Sequence, residues 1–220
     1  MTTTVITGAN RGIGFELARQ TAARGDTVIA VCREPGPTLE ALNIQIESGI
    51  DVSAQEDVDE LARRLADMPI DLLINNAGIL SRQSLDDLDF DEMRRQFEVN
   101  SLGPLRVTAT LRSQLKDGAK VAIVSSRMGS IADNTSGGHY GYRMSKAAVN
   151  MAGVSLARDL RDRDISVILL HPGFVSTEMT NLTGDVEPAD AAAGLLKRID
   201  ELTLRTSGTW RHANGEELPW

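Results

Sequence analysis

Two side chains in the run Tyr142-Arg143-Met144-Ser145-Lys146 could together move a proton. Residues 147–160 carry small and apolar residues at helical spacing, which puts Tyr142 and Lys146 at i and i+4 on one helix face, Cβ atoms roughly 6 Å apart. A free phenol has a pKa of about 10 and is a poor proton donor or acceptor at pH 7. A cation held beside it favours the phenolate, lowers that pKa and eases proton transfer. The same spacing also describes a solvated tyrosine and a surface lysine, so the chemistry depends on what the rest of the chain places around the pair.

The elements that must position them alternate. Short β-branched or apolar runs at 3–7, 27–31, 70–74, 120–124 and 165–170 predict strands, with a further strand inside 44–52, interrupted by Ser48-Gly49, and a last one near 208–212. Between them lie helical patterns at 12–23, 55–66, 91–115, 142–162 and 188–202, with a loop over 33–42 that includes a helical turn at 38–42. Gly103-Pro104 predicts a kink or break in the long helix. Such alternation predicts an α/β fold: a doubly wound parallel sheet of about seven strands, covered by helices on both faces, in a single domain spanning 1–220. In such sheets ligands sit beyond the carboxyl ends of the strands. Those ends carry Gly8, Arg33, Asp51, Asn75, Ser125, Ser126 and Pro172-Gly173, so the chemically unusual residues gather at one edge.

Composition narrows the partners. A net charge of −8 on 220 residues argues against a nucleic-acid backbone, which needs a basic face. The longest apolar runs are strand length and too short to cross a bilayer, and no basic or hydrophobic leader precedes the first strand. The single cysteine, Cys32, excludes an internal disulfide and fits a reducing compartment, so a cytoplasmic location is expected. Cys32 itself reads as a packing residue. His139 and His171 have no partners at metal-ligand spacing, and no metal is expected.

Thr7-Gly8-Ala9-Asn10-Arg11-Gly12-Ile13-Gly14 joins the first strand to its helix. Glycines there permit a tight turn and let the backbone approach a pyrophosphate at the helix N-terminus. The spacing is G-x-x-x-G-x-G rather than G-x-G-x-x-G, and no Gly-Lys-Ser/Thr follows, so it is not a P-loop. This turn, with Asn75-Asn76-Ala77-Gly78, Ser126, Tyr142-x-x-x-Lys146 and Pro172-Gly173, resembles the short-chain dehydrogenase/reductase family, in the family's order and over nearly the whole chain. The run Ser125-Ser126-Arg127-Met128-Gly129-Ser130, the Gly137-Gly138 loop and Leu218-Pro219-Trp220 are similar to the branch that holds sniffer-type carbonyl reductases and C-factor-like signalling proteins.

The resemblance implies a Rossmann fold and an NADPH-dependent reduction of an aldehyde, ketone or quinone to an alcohol. Tyr142 would protonate the carbonyl oxygen, Lys146 would lower the phenol's pKa and hold the nicotinamide ribose, and Ser126, with Ser125 as the fallback, would hydrogen-bond the substrate oxygen. Asn100 matches a helix asparagine that anchors a proton-relay water, or else caps the break before Gly103-Pro104. Gly8, Asn10, Arg11, Gly12, Ile13 and Gly14 would cradle the nucleotide; Asn76, Ala77 and Gly78 would line its adenine ribose side, and Pro172, Gly173, Val175 and Thr177 would complete its site. Thr177 matches the threonine that holds the carboxamide, or serves as an N-cap. Asp51 and Val52 would flank the adenine, or Asp51 would cap the helix near Gln55. Cys32 and Arg33 stand where an NAD enzyme carries an acid, and Arg33 with Arg11 could clamp a 2′-phosphate, so NADP(H) is expected over NAD(H). Residues 178–187 form a short lid, with Met179 and Leu182 as its large apolar residues, and Met128, Ile131 and His139 are further candidate substrate contacts. Relatives pair through the helices here near 91–115 and 142–162, so a homodimer is expected. The alternative is a nucleotide-binding signalling or scaffold protein of the same fold.

Overall fold

The computed structural model describes residues 2–220. Strands β1 (Thr3–Thr7), β2 (Thr27–Val31), β3 (Gln45–Glu47), β4 (Ile70–Asn75), β5 (Leu115–Val124), β6 (Ser166–His171) and β7 (Trp210–His212) form one seven-stranded sheet in the order β3-β2-β1-β4-β5-β6-β7. Every neighbouring pair is parallel. Strand side chains alternate between two apolar layers, which is why the central strands read as nearly continuous apolar runs. Val5, Ile29, Leu73, Val121, Ile123, Val167 and Leu169 face α3 (Gln55–Arg64), α5 (Gly103–Thr110) and α6 (Tyr140–Asp159). Ile6, Ala30, Ile74, Ala122, Ile168 and Leu170 face α1 (Gly12–Ala23) and α7 (Pro188–Asp200). The result is a single Rossmann-like domain with helices on both faces.

The chain leaves β1 toward β2 and β3, then returns to β4 on the other side of β1. Loops after β1 and β4 therefore part in opposite directions and leave a crevice between them. Three elements differ from the sequence reading. β3 keeps only three residues, because Gly49 turns the chain at φ 76°. β5 begins five residues early, at Leu115, across a register irregularity opposite Ile70–Leu72. The helical turn expected at 38–42 is present but shifted, as a four-residue helix, α2 (Pro37–Glu40).

The long helix breaks as Gly103-Pro104 suggested, and the break has a form. It consists of α4 (Phe90–Phe97), a π turn over Glu98–Leu102, then α5 and a short 3-10 turn. Pro104 has no N–H to offer the carbonyl four residues back, that of Asn100, so the hydrogen-bond ladder is re-registered there. Among the described residues no helix is long and apolar enough to cross a membrane.

Candidate active site

Beyond the carboxyl ends of β1, β2 and β4 lies a crevice of about 930 Å³, within the range of cofactor sites. The β1–α1 turn forms one wall. Gly8 adopts φ 66°, and a Cβ on Gly14 would fall 2.1 Å from the Gly8 carbonyl oxygen, so only glycine lets α1 start this close to β1. Asn76 straps the turn, its side-chain amide donating to the carbonyls of Thr7 (3.0 Å) and Gly8 (3.1 Å). Thr7 Oγ1 accepts the backbone N–H groups of Asn76 and Ala77, both at 3.1 Å. These bonds fix a glycine cradle against the end of β4, with the amides of α1 opening into the crevice, a setting that suits a dinucleotide pyrophosphate.

At the far end, α6 presents Tyr142 and Lys146 to the crevice, and both are buried. The Lys146 ammonium lies 5.7 Å from the Tyr142 ring centroid and donates to the Val124 carbonyl oxygen at 2.9 Å. Burial pushes the Lys146 pKa down to about 8, which leaves it mostly charged at pH 7. The phenol goes the other way from the sequence reading. Burial pushes the Tyr142 pKa up, and the Ser126 hydroxyl opposes that rise only in part.

Of the two serines after β5, Ser126 is the one that acts on the Tyr142 phenol, lowering its pKa against the effect of burial, although Ser125 and not Ser126 lines the crevice. Ser125 reaches the crevice wall, but its hydroxyl donates to Asn150 Oδ1 at 2.6 Å. Ser126 Oγ accepts from the Met128 N–H at 3.2 Å, so its own proton remains for the phenol or a substrate oxygen.

Asn100, in the π turn, lies behind the wall. Its side chain accepts from the Ile79 N–H (2.8 Å) and donates to the Ile79 carbonyl (2.9 Å) and Ser145 Oγ (3.1 Å). Ser145 Oγ in turn donates to the Tyr142 carbonyl at 2.8 Å, and Ser101 Oγ donates to the Ser145 carbonyl at 2.7 Å. The π turn thus locks the loop after β4 to the first turn of α6. A Cβ on Gly78 would lie 3.4 Å from Asn100 Oδ1 and 3.8 Å from the Lys146 ammonium, so these three converge. The sequence reading missed Ser145, although its place three residues after Tyr142 on a helix was a usable signal.

Gly8, Asn10, Arg11, Gly12, Ile13, Gly14, Arg33, Asp51, Val52, Asn76, Ala77, Gly78, Pro172 and Thr177 all line the crevice. Each candidate phosphate ligand is already partnered. Arg11 pairs with Glu178 on the lid, and Arg33 lies 3.8 Å from Asp51. Burial raises the Asp51 pKa, but hydrogen bonds from Ser53 and the Arg33 charge outweigh it and hold the carboxyl below its usual value. Asp51 does not cap α3; Ala54 occupies that position. Thr177 opens the 3-10 turn Glu178–Thr180, its N–H donating to Thr180 Oγ1 at 3.1 Å, so the capping and lining positions coincide.

Four expected contacts fall elsewhere. Val175 is buried and bridged to Val186, and Gly173 sits against Val186 and His212, both behind the lining. Met128 is turned onto the Ser126 cap, its carbonyl accepting from Arg143 at 3.4 Å, and His139 is held at the start of α6 by its N–H bond to Gln83 O. Neither lines the crevice, whereas Met179 and Leu182 do.

The family model described as short chain dehydrogenase matches residues 2–187. A relative from Rhodococcus sp. (strain AD45), 1-hydroxy-2-glutathionyl-2-methyl-3-butene dehydrogenase, is 46% identical over the full length of both chains. The C-signal of Myxococcus xanthus is 47% identical over 69% of this chain and 93% of its own. Among solved structures, the NADPH-bound carbonyl reductase from chicken fatty liver superposes with a TM-score of 0.91 at 29% identity, covering 100% of this chain and 99% of that one. The carbonyl reductase Sniffer of D. melanogaster gives a TM-score of 0.93 at 28% identity over 100% of both. With a parallel sheet, a glycine cradle at its switch point and a buried tyrosine–lysine pair beside it, the chain belongs to the short-chain dehydrogenase/reductase family of oxidoreductases.

Proposed function

We propose that this protein is an NADPH-dependent reductase of carbonyl compounds, with Tyr142 as the proton donor. One observation carries the reading: a phenol and an ammonium buried on one helix face, the phenol against Ser126, at the end of a dinucleotide-sized crevice. The bound nucleotide supplies the hydride. Gly8 to Gly14 would hold its pyrophosphate, Asp51 and Val52 its adenine, Asn76 to Gly78 its ribose, and Thr177 its carboxamide. Ser126 donates to the carbonyl oxygen where negative charge develops, and Tyr142 delivers the proton there. Burial keeps the phenol protonated at neutral pH, which suits reduction; Lys146, still cationic, stabilises the charge left on the phenol oxygen.

NADP(H) is preferred in this reading because Cys32 and Arg33 follow β2 where a carboxylate would repel a 2′-phosphate, and because similar solved structures hold NADP(H). Arg11 and Arg33 can exchange their exposed carboxylate partners for phosphate oxygens. The lid offers Met179 and Leu182, 42% and 68% exposed, and sets an open, apolar mouth for aldehydes, ketones or quinones. Exposed Leu102, Leu105 and Met151 on or beside α5 and α6 support pairing of two copies there.

The test is NADPH oxidation with a panel of carbonyl compounds, plus a glutathionyl alcohol with NADP+ in view of the Rhodococcus relative. Turnover of at least one, abolished in Tyr142→Phe, is the expected result. The 47% identity to a protein named C-signal favours a second reading, a nucleotide-binding signalling or scaffold protein. NADPH binding without turnover of any panel member would select it.

A further inference from the structure

The turn that carries Ser126 is anchored from an unexpected direction. Trp210, on the edge strand β7, is 1% exposed, and its ring stacks on that of Trp220, centroids 5.4 Å apart at 29°. Leu218, buried beside them, donates its N–H to the Trp210 carbonyl at 3.0 Å. The Trp220 main-chain oxygen then accepts three donors from the loop after β5: the N–H of Ile131 (2.6 Å), the N–H of Ala132 (3.1 Å) and Ser130 Oγ (3.0 Å). Ser130 Oγ also accepts the Asp133 N–H at 3.0 Å. Arg127 adds ion pairs to Asp133 and, at 3.8 Å, to Glu216.

Between this clamp and the active site lies one short turn. Gly129 N–H donates to the Ser126 carbonyl at 2.7 Å, and Ser130 N–H to the Arg127 carbonyl at 3.0 Å. A Cβ on Gly129 would stand 2.8 Å from the Lys146 carbonyl carbon, so the turn lies flat on the backbone of α6. The Ser126 hydroxyl therefore has two fixed sides, β5 behind it and the clamped turn ahead.

We propose that Trp220 is a positioning residue for Ser126: stacked on Trp210, it holds the 127–133 loop so that the serine hydroxyl faces the Tyr142 phenol. A half-exposed indole at the surface, 49% exposed, is then explained by its stack and its main-chain oxygen rather than by core packing. The inference rests on the carbonyl-reductase reading for its catalytic consequence but not for its geometry, and the experiment separates the two.

The protein has two tyrosines, so in a Tyr140→Phe background the phenolate absorbance after a rapid pH jump reports Tyr142 alone. Ser126 lowers the phenol's pKa by hydrogen bonding. Trp220→Ala should raise the Tyr142 midpoint by about half a unit or more, leave NADPH affinity within about twofold, and lower kcat about tenfold more than it changes KM. Trp220→Phe, which keeps a stacking ring, should restore all three. A midpoint unmoved in Trp220→Ala overturns the proposal, as does the same shift in Trp220→Phe. If Trp220→Ala does not fold, Ser130→Ala, which removes one of the three donors, takes its place with the same expected direction and the same overturning result. A shifted midpoint in Trp220→Ala, with no carbonyl turnover by the wild type, would uphold the positioning and refute the reductase reading.

Discussion

The two ends of the crevice are built on different physics. At the end proposed as catalytic, Tyr142, Lys146, Ser126 and Asn100 are each less than 10% exposed and tied into backbone groups: the ammonium to Val124, the asparagine to Ile79, Ser145 to the carbonyl of Tyr142 itself. At the end proposed to take a phosphate, Arg11 and Arg33 stand in solvent and hold single carboxylates. Buried, backbone-anchored groups lose little by reorganising when charge develops, so they suit catalysis. Exposed ion pairs are worth little and exchange partners at little cost, so they suit a ligand that arrives and leaves. In the proposed reading, the molecule keeps rigidity where bonds would change and looseness where a phosphate would be traded for a carboxylate.

Substitutions at the two ends should differ in kind. Tyr142→Phe should lower carbonyl reduction about 10³-fold while the NADPH dissociation constant, read by fluorescence titration, stays within about twofold. A parallel loss of affinity would show that the ends are not separable. Lys146→Met should cost about 100-fold in kcat yet raise stability at pH 7 by on the order of 1 kcal/mol, about 2–4 °C in Tm, because a buried ammonium is removed. The sign follows from its folded pKa of about 8 against 10.5 unfolded: between those values the unfolded chain binds more protons. Wild-type stability from this group therefore rises with pH through that window, and the advantage of Lys146→Met, followed by thermal melts, should fade between about pH 8 and 10.5 and be gone above it.

At the other end, Arg33→Asp should weaken NADPH relative to NADH by roughly tenfold or more with kcat little changed, measured as kcat/KM with each nucleotide. An unchanged ratio would remove Arg33 from the phosphate site. The smallest effect belongs to Glu178→Gln. Releasing Arg11 from an exposed partner should tighten NADPH about twofold in low salt, and the gain should vanish in high salt.

Much of this was legible in the sequence, and what was not has a common cause. α1 occupies residues 12–23 as its periodicity indicated, and β1 and β2 keep their expected limits, because an apolar run between turn signals has few other choices. The gathering of Gly8, Asp51, Ser125 and Pro172 at one crevice followed from strand ends alone. Burial did not. The i, i+4 spacing of Tyr142 and Lys146 told their proximity but not that both would be desolvated, and desolvation reverses the direction of the phenol's shift. Partners distant in sequence were equally hidden: Asn100 with Ser145, Arg11 with Glu178, and Ser130 with Trp220 are set by the sheet order. β3 was overextended because Ile50 and Val52, buried beyond the turn at Gly49, look like strand residues while packing as loop residues under α3.

One isotopic experiment joins both ends of the crevice. NADPH deuterated at nicotinamide C4 is supplied with a carbonyl substrate, and the alcohol is analysed by mass spectrometry for wild type and Tyr142→Phe. Deuterium on the former carbonyl carbon with the wild type, and a product yield lower by about 10³ with Tyr142→Phe, is the predicted result. Equal deuterated product from both proteins would contradict Tyr142 as the proton donor, and NADPH bound with no deuterated product from the wild type would contradict the reductase assignment itself.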